Sequence, residues 1–363
     1  MITPAEGKAP QTRHRLISYT PALFMVLFLL IGLGLTLSNP NTYKRPQGKS
    51  VLNGEWTAAY EKQFNESLPF RQLAIDAWGV LTYTVFGEGR EGVLIGSDGW
   101  LYTSEEFLAH PEGEKAFQTK VDLAVKASAQ LAKEGTAFLV AVVPAKARIY
   151  PEHLGRYSYP SYNEALYQSF ISALENEGVA TVSLLAPLEK AKDKQMTFLK
   201  TDTHWTPFGA FIAADAIAKE VERLGLLHSF GEVEFVTELL GNVKHEGDLL
   251  SYLPLGSFQE RLGPAFDTLE EKVTEQKEAG LGLFGAETIP VTLIGTSYSA
   301  NQSWQFENAL KERLGADVLN MADEGQGPVV PLEFYLASEE LKDNPPELVI
   351  WEIPERFIGV VYE

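Results

Sequence analysis

Residues 290–301 read Pro-Val-Thr-Leu-Ile-Gly-Thr-Ser-Tyr-Ser-Ala-Asn, and this stretch decides the class of fold. The short run Val291–Ile294 predicts a strand buried on both faces, as strands of parallel sheets are. Gly295 and Thr296 end the strand, and a helical pattern follows Ser297. The pattern predicts a serine exposed at the carboxyl end of a parallel strand, where open α/β sheets carry their sites.

The same alternation of short apolar runs and longer amphipathic stretches continues on both sides of this segment. The other predicted strands are Gly92–Ile95, Phe138–Val143, Val179–Leu184 and Leu348–Ile353. The predicted helices between them are Glu114–Lys133, Tyr162–Glu177, Pro207–Leu224 and Gln302–Leu314. Strands that alternate with helices favour a parallel sheet covered on both faces. We therefore expect a three-layer α/β domain.

Composition excludes several classes of function. The chain has 363 residues, 45% of them hydrophobic, and no cysteine. The absence of cysteine excludes disulfides, thiolate metal sites, iron–sulfur clusters and a cysteine nucleophile. The formal net charge of −19 argues against a nucleic-acid partner, because phosphate contacts need a basic face.

The N-terminus carries the features of a membrane anchor. No charged residue occurs between Leu16 and Tyr43, and a helix over Tyr19–Leu37 would be about 28 Å long, close to the ~30 Å hydrocarbon core. Three basic residues precede this run, so the N-terminus is predicted to stay cytoplasmic. A cleaved signal peptide is the alternative, but Ser38–Asn41 is a poor cleavage site.

These signals divide the chain into five parts. We expect a cytoplasmic N-terminus at 1–15, a transmembrane signal anchor at 16–38, a polar linker at 39–50, a helical lead-in at 51–90 and a catalytic domain at 91–363. Residues 1–40 carry three basic and one acidic residue, and the remainder carries 27 basic and 48 acidic residues, a net charge of −21. We therefore predict a single-pass membrane protein with an acidic extracytoplasmic domain.

A second segment, Thr201-Asp-Thr-His-Trp-Thr-Pro207, has the residue types of a general base. Thr206 followed by Pro207 is a helix start, with an N-cap residue and then proline at the first helical position. Asp202 and His204 are expected on extended backbone just before that helix, where side chains two residues apart point the same way. A carboxylate there can fix the imidazole tautomer and stabilise the imidazolium.

Together the two segments supply a serine, a histidine and an aspartate. The serine turn is similar to a nucleophile elbow, although Ser299 stands where a glycine is expected. The backbone N–H of Ser297 and of its neighbours is a candidate donor to an oxyanion. A buried structural hydrogen bond is the competing interpretation of the Asp-x-His pair. The Gly280–Gly285 stretch matches G-x-G-x-x-G, but a charged stretch precedes it and a strand follows, so we interpret it as a loop.

Five motifs in this order carry a family resemblance. They are Ser-Asp-Gly-Trp-Leu-Tyr (97–102), Val-Pro-Ala-Lys-Ala-Arg-Ile-Tyr-Pro (143–151), Thr-Asp-Thr-His-Trp-Thr-Pro-Phe-Gly-Ala (201–210), Ile-Gly-Thr-Ser-Tyr-Ser (294–299) and Leu-Val-Ile-Trp-Glu-Ile-Pro-Glu-Arg (348–356). Over roughly residues 50–363 the chain resembles the alginate O-acetyltransferases AlgJ and AlgX, which carry an SGNH-hydrolase-like domain. The N-terminal anchor looks more like that of AlgJ.

The resemblance implies a doubly wound SGNH-like fold with the Asp-His pair ahead of the serine. By motif position, Ser297 is the nucleophile, His204 the general base and Asp202 the residue that orients it. Members of this family acetylate periplasmic exopolysaccharide and receive acetyl through a membrane-bound O-acyltransferase partner, alongside other exopolysaccharide biosynthesis proteins. The resemblance implies neither a metal nor a dissociable cofactor, and it implies a location at the inner membrane with the catalytic domain in the periplasm.

Charge and mechanism leave alternatives open. A domain of −21 repels a polyanion such as alginate, so either a local basic patch, a neutral glycan or a relay role is expected. Lys146, Arg148 and Arg356 are candidate substrate-binding residues at apparent strand ends, and surface solubility would explain each of them equally. A carbohydrate acetylesterase would use the same three catalytic residues, with water as the acceptor. A non-enzymatic component of a secretion complex would need none of them.

Overall fold

The computed structural model describes residues 11–277 and 289–362. The Gly280–Gly285 motif therefore lies outside the described residues. The chain forms two compact units: one comprises the N-terminal part up to Leu81 together with Leu255–Phe258, and the other comprises residues 82–254 and 259–363.

From residue 11 onward, the first unit contains three α-helices, α1 (Gln11–Ser38), α2 (Glu55–Ser67) and α3 (Arg71–Leu81). Within α1, residues 19–38 are long and apolar enough to cross a membrane, and none of this segment is buried. That agrees with the predicted anchor in length and composition. The predicted linker begins with a 3-10 turn, Pro40–Tyr43, and Gln63 of α2 donates to the Asn41 and Lys44 carbonyls.

The second unit holds the strands and the remaining α-helices of the described chain. Its strands are β1 (Val93–Ile95), β2 (Leu101–Thr103), β3 (Ala137–Val143), β4 (Ala180–Ser183), β5 (Phe235–His245), β6 (Asp267–Gln276), β7 (Val291–Ile294), β8 (Val318–Asn320) and β9 (Leu348–Pro354). Its helices are α4 (Gly113–Leu131), α5 (Lys146–Ile149), α6 (Ser161–Asn176), α7 (Leu185–Ala191), α8 (Pro207–Leu224), α9 (Gln259–Leu262), α10 (Ser297–Ala300), α11 (Phe306–Leu314), α12 (Val329–Ala337) and α13 (Glu339–Asp343).

A five-stranded parallel sheet organises this unit, with strand order β4-β3-β9-β7-β8. The central strand β9 pairs in parallel with both β3 and β7 over most of its length. The predicted parallel sheet is thus confirmed. The Gly92–Ile95 run is a strand, but it pairs antiparallel with β2 outside this sheet because a tight turn returns the chain at once. The sequence did not predict β2 or β8, which have three residues each.

Alternate residues of each strand enter two separate cores, one on each face of the sheet. Leu139, Ala141, Leu293 and Ile350 pack with apolar residues of α8 and α11 on the first face. Residues from the same strands with the opposite orientation pack with α4, α6 and α12 on the second face; they include Phe138, Val140, Ile294, Val349 and Trp351. A strand with both faces covered reads as a continuous apolar run, which is why these strands were predictable.

A long antiparallel hairpin, β5–β6, is attached to this layered core and was not predicted. Its ten paired positions run from Phe235–Gln276 to His245–Asp267, with a register irregularity between Leu239 and Gly241. Most β5 residues are at least partly exposed, including Leu239 and Leu240. The two-stranded ribbon has no fully buried face, so its sequence lacks the strict alternation that identifies a strand.

Candidate active site

The serine turn forms as the sequence predicts. Strand β7 ends at Ile294 and α10 begins at Ser297, so the serine is the first residue of a helix at the carboxyl end of a central strand. Thr296 caps this helix, because its side-chain oxygen accepts a hydrogen bond from the Tyr298 N–H at 3.3 Å. Ser297 is half-buried, whereas Ser299 is buried and turned away from solvent.

A buried glutamate supports this turn from below. Glu352 lies in β9 with no exposed surface, and its Oε2 accepts hydrogen bonds from the Thr296 N–H at 2.8 Å and the Ser299 hydroxyl at 3.0 Å. Burial raises the pKa of Glu352 to about 7, although those hydrogen bonds act in the opposite direction. A Cβ on Gly295 would lie 2.4 Å from the same oxygen, so only glycine fits the end of the strand. A charged residue inside the apolar run of β9 is a signal that could have identified it.

The Asp-x-His segment lies on a tight loop, not on extended backbone as we expected. An antiparallel bridge pairs Phe198 with Trp205, and the loop between them is folded back. Asp202 Oδ1 accepts from the His204 N–H at 3.0 Å, a local bond by which aspartate stabilises such turns. The predicted helix start is confirmed: α8 begins at Pro207, and the Thr206 side chain accepts from the Gly209 N–H.

These two segments meet at the carboxyl edge of the sheet. His204 Nε2 is 2.7 Å from Ser297 Oγ, and His204 Nδ1 is 2.6 Å from Asp202 Oδ1. An ionised carboxylate only accepts hydrogen bonds, so a neutral imidazole must carry its proton on Nδ1 and leave Nε2 as the acceptor toward the serine. This tautomer is the one that can remove a proton from Ser297 Oγ.

Four donors fix the Asp202 carboxylate, whose side chain is only 3% exposed. Oδ1 accepts from the backbone and ring of His204, while Oδ2 lies 2.8 Å from His245 Nε2 and accepts from the Asp248 N–H at 3.1 Å. Burial alone would raise the pKa of Asp202, but the hydrogen bonds from both histidines outweigh it and hold that pKa well below its usual range. Asp202 is therefore the anionic centre of the site. No local pattern in the sequence identifies His245 or Asp248 as part of the site.

Aromatic rings and one further acid hold the imidazole in place. The His204 ring stacks on Trp304 at a centroid distance of 4.9 Å, and Trp304 Nε1 donates to the Ser297 carbonyl at 3.0 Å. The Tyr298 hydroxyl donates to the Thr203 carbonyl. Asp248 accepts from the Thr203 N–H and hydroxyl at 2.9 and 2.6 Å. These contacts restrict the loop and the imidazole ring to one arrangement.

Asp202, His204 and Asp248 also bring donor atoms within 4.8 Å of one another, a spacing that could hold a metal ion. The Nδ1 atom of His204 and both oxygens of Asp202 already have protein partners, and both Asp248 oxygens bind Thr203. The hydrogen-bond network accounts for these groups by itself.

An open cleft of about 390 Å³ lies over Ser297 and His204. Its lining combines polar, aromatic and aliphatic side chains with two glycines. Besides Ser297 and His204, the lining residues are Thr103, Glu105, Thr203, Asp248, Leu249, Tyr252, Thr296, Gly325, Gly327, Arg356, Phe357, Val360 and Tyr362. Both Glu105 and Asp248 are exposed, and Arg356 is the cation of this lining, with its side chain 7% exposed.

The three basic candidates have different environments. Arg356 lines the cleft, 3.3 Å from Glu105 and 3.4 Å from the Tyr298 hydroxyl. Lys146 is buried, and its ammonium donates to the carbonyls of Leu199, Lys200 and Asp202. Arg148 forms an ion pair with Glu355 and donates to the Asn163 carbonyl. Lys146 and Arg148 therefore contact protein groups and are not among the residues that line the cleft.

A strand-end serine that meets an Asp-x-His loop at the edge of a parallel sheet is the arrangement expected of an SGNH-hydrolase-like protein. The family described as "SGNH hydrolase-like domain, acetyltransferase AlgX" matches residues 93–355. A probable alginate O-acetylase AlgJ of Azotobacter vinelandii is 41% identical over 317 residues, which cover 86% of this chain and 81% of the relative. This chain belongs to the AlgX-type SGNH hydrolase-like family and is more similar to AlgJ than to AlgX.

Solved structures agree with this assignment. The O-acetyltransferase domain of Pseudomonas putida AlgJ has a TM-score of 0.69 and 39% sequence identity, covering 76% of this chain and 94% of that domain. Pseudomonas aeruginosa AlgX has a TM-score of 0.56 and 25% identity, covering 72% of this chain and 62% of that protein. The predicted fold class and family resemblance are confirmed.

Proposed function

We propose that this chain is an O-acetyltransferase that transfers acetyl groups to hydroxyls of an exopolysaccharide through an acetyl-Ser297 intermediate. One observation carries the proposal: Ser297 Oγ lies 2.7 Å from His204 Nε2, whose Nδ1 faces Asp202, at the floor of an open cleft. A nucleophile, a base and a residue that orients the base, all within hydrogen-bond reach, are what covalent acyl transfer needs. Acetyltransferase activity is also the description of the matched family.

The first half-reaction loads acetyl on the serine. His204 Nε2 takes the hydroxyl proton as Ser297 Oγ attacks the donor's carbonyl carbon, and Asp202 stabilises the imidazolium that forms. The Ser297 N–H is the first amide of α10 and donates to no acceptor among the described hydrogen bonds, so it is a candidate donor to the tetrahedral oxyanion. The donor group leaves with the proton from His204, and the acetyl ester of Ser297 remains.

The second half-reaction passes acetyl to the acceptor. A sugar hydroxyl gives its proton to His204 Nε2 while its oxygen attacks the acetyl carbonyl. Ser297 Oγ then leaves and recovers the proton from the imidazolium. The product is an O-acetylated sugar, and the enzyme returns to its starting state.

Alginate is the acceptor that the names of the AlgJ relatives suggest. The cleft is suited to bind sugars through Tyr252, Phe357 and Tyr362, and Arg356 offers a cation among the carboxylates of Glu105 and Asp248. We infer that Arg356 contacts the acceptor, whereas Lys146 and Arg148 act by holding the protein together. The acetylation assay therefore compares polyuronate with neutral glycan acceptors.

The apolar N-terminal helix supports a proposed membrane arrangement. We propose a cytoplasmic N-terminus at residues 1–15, a signal anchor at 16–38, a linker at 39–50, a helical lead-in at 51–90 and a periplasmic catalytic domain at 91–363. Acetyl must then cross the inner membrane, so a membrane-bound O-acyltransferase is the proposed supplier, and AlgX-like proteins are proposed partners in the same process.

The test is acetyl transfer by the detergent-solubilised full-length chain from a chromogenic acetyl ester to oligouronates, neutral oligosaccharides or water. We expect acetylated oligosaccharide from the wild type, a protein mass increase of one acetyl group, and loss of both in Ser297→Ala. Asp202→Asn should fold yet transfer about 10³- to 10⁴-fold more slowly, because the amide does not stabilise imidazolium. Ser303→Ala, an exposed serine six residues away, is the matched control and should keep full activity.

The alternatives give distinct results in this assay. Release of acetate only, with no acetylated oligosaccharide, would identify an acetylesterase. No reaction at Ser297 with either acceptor would favour a non-enzymatic component of a secretion complex. Near wild-type transfer by Ser297→Ala would refute the proposed nucleophile.

A further inference from the structure

A second histidine contacts the carboxylate at the centre of the site. His245 is the last residue of β5, and its Nε2 lies 2.8 Å from Asp202 Oδ2, on the opposite side of the carboxylate from His204. A carboxylate only accepts hydrogen bonds, so His245 Nε2 must carry a proton to bind Asp202. His245 therefore donates to Asp202 whether its ring is neutral or charged. One carboxylate therefore bridges two imidazoles, and only one of them reaches Ser297.

The root of the β5–β6 hairpin explains why His245 is in this position. His245 pairs in register with Asp267, the first residue of β6. Asp267 in turn accepts from the N–H groups of Lys200 and Thr201 and from the Thr201 hydroxyl. The two residues of this cross-strand pair thus hold adjacent parts of the loop. Asp267 binds Lys200 and Thr201 just before Asp202, and His245 binds the Asp202 carboxylate.

The root of the β5–β6 hairpin lies close to the backbone of the Asp-x-His loop. A Cβ on Gly247, two residues after His245, would lie 2.2 Å from the Thr201 carbonyl oxygen. The hairpin root therefore contacts the loop directly and leaves no room for a side chain between them. This contact is independent of the exposed remainder of the ribbon.

We propose that His245 is a positioning residue for acetyl transfer, which binds Asp202 Oδ2 so that Oδ1 faces His204 Nδ1 with its charge retained. The proposal rests on the proposed function and assigns to the hairpin root a role in it. Two donors at each oxygen fix the plane of the carboxylate more tightly than one. At Oδ2 these donors are His245 Nε2 at 2.8 Å and the Asp248 N–H at 3.1 Å, so loss of His245 leaves only the longer bond there.

The surroundings keep a proton available on His245. The hydrogen bond to Asp202 raises the pKa of His245, burial opposes this, and the nearby charges of Asp202, Asp267 and Asp248 raise it further. The His245 and Trp304 rings are nearly perpendicular, with centroids 5.4 Å apart, and the same indole stacks on His204. A purely structural role through that ring contact is the competing explanation, and it predicts a different outcome.

The experiment compares His245→Ala, which removes the donor, with His245→Gln, whose amide N–H can replace it. Both are made in the full-length chain and assayed with the chromogenic acetyl ester and oligosaccharide acceptors. His228→Gln, at an exposed histidine, is the matched control. The measurements are kcat, KM for the ester, melting temperature, and the downfield proton resonance of His204 Nδ1–H.

We expect kcat of His245→Ala to fall about 10- to 100-fold, the size of a lost hydrogen bond to a charged group, with KM nearly unchanged. His245→Gln should recover part of that loss, and His228→Gln should equal the wild type. The Nδ1–H resonance should weaken or move upfield in His245→Ala. Wild-type kcat together with an unchanged resonance in a folded His245→Ala protein would overturn the proposal.

A loss of activity in both variants that only parallels a loss of folded protein would also overturn it, in favour of the structural role. If His245→Ala does not fold, the kcat and resonance of His245→Gln decide the question against the same criteria. Failure of the proposed function is a separate result: the wild type would then show no Ser297-dependent transfer. The Nδ1–H resonance would still report whether His245 orders the Asp202–His204 pair.

Discussion

Replacing Glu352 with glutamine tests how the fold holds the serine turn. Glu352 is fully buried in the central strand, where it accepts hydrogen bonds from the Thr296 N–H and from the hydroxyls of Thr296 and Ser299. Glutamine has the same shape and an oxygen that can accept from the Thr296 N–H, and the two hydroxyls can rotate to suit its amide. The substitution therefore removes the titration and keeps the packing.

The magnitude follows from the pKa of this group. Burial raises the pKa from 4.5 to about 7 in the folded chain. Well below pH 4.5, Glu352 is protonated in both the folded and the unfolded chain, so its ionisation does not change the free energy of unfolding. As pH rises the unfolded chain loses its proton first, and folding becomes less favourable until the pH passes 7. With about 1.4 kcal/mol per pKa unit, the penalty is about 1 kcal/mol at pH 5 and about 3 kcal/mol at pH 8.

The assay is urea unfolding of the wild type and Glu352→Gln at pH 5 and pH 8. All other groups titrate in both proteins, so their contributions cancel in the difference between them. We expect the free energy of unfolding of the wild type to fall by about 2 kcal/mol relative to the variant between the two pH values. Glu175→Gln, at an exposed glutamate of α6, is the control and should show no such change. An equal difference between wild type and Glu352→Gln at both pH values would refute the reasoning.

Two further substitutions test the supports of the site. Gly295→Ala should lower stability by about 1–3 kcal/mol and reduce acetyl transfer, because its Cβ would lie 2.4 Å from Glu352 Oε2 and 2.9 Å from Ser299 Oγ; unchanged melting temperature and turnover would contradict this. Lys146→Met should cost about 3 kcal/mol, since it leaves the carbonyls of Leu199, Lys200 and Asp202 without their buried donor. Urea unfolding measures this loss, and a midpoint equal to that of the wild type would show that the ammonium is dispensable.

The sequence predicted the elements whose pattern depends on local physics. Strands covered on both faces must be apolar at successive positions, so β3, β4, β7 and β9 could be located, and the Thr206–Pro207 cap located the start of α8. A long run without charged residues likewise located the apolar helix at the N-terminus. The short strands β2 and β8 and the exposed hairpin β5–β6 were not predicted. A ribbon without a buried face imposes no periodic pattern, and three residues are too few to impose one. The equally short β1 was located only because it lies in the apolar run Gly92–Ile95.

The candidate site divides in the same way. Ser297, His204 and Asp202 were predictable because each lies in a short motif whose neighbours set its local geometry: a strand end for the serine, a helix start for the Asp-x-His pair. Their contacts, the donors on Asp202 from His245 and Asp248, the support from Glu352 and the stacking of Trp304 on His204 join residues tens of positions apart. Only the packing of the hairpin root and the sheet against that loop brings them together. Sequence spacing does not encode such contacts, because chain segments remote from one another meet only when the core between them is buried.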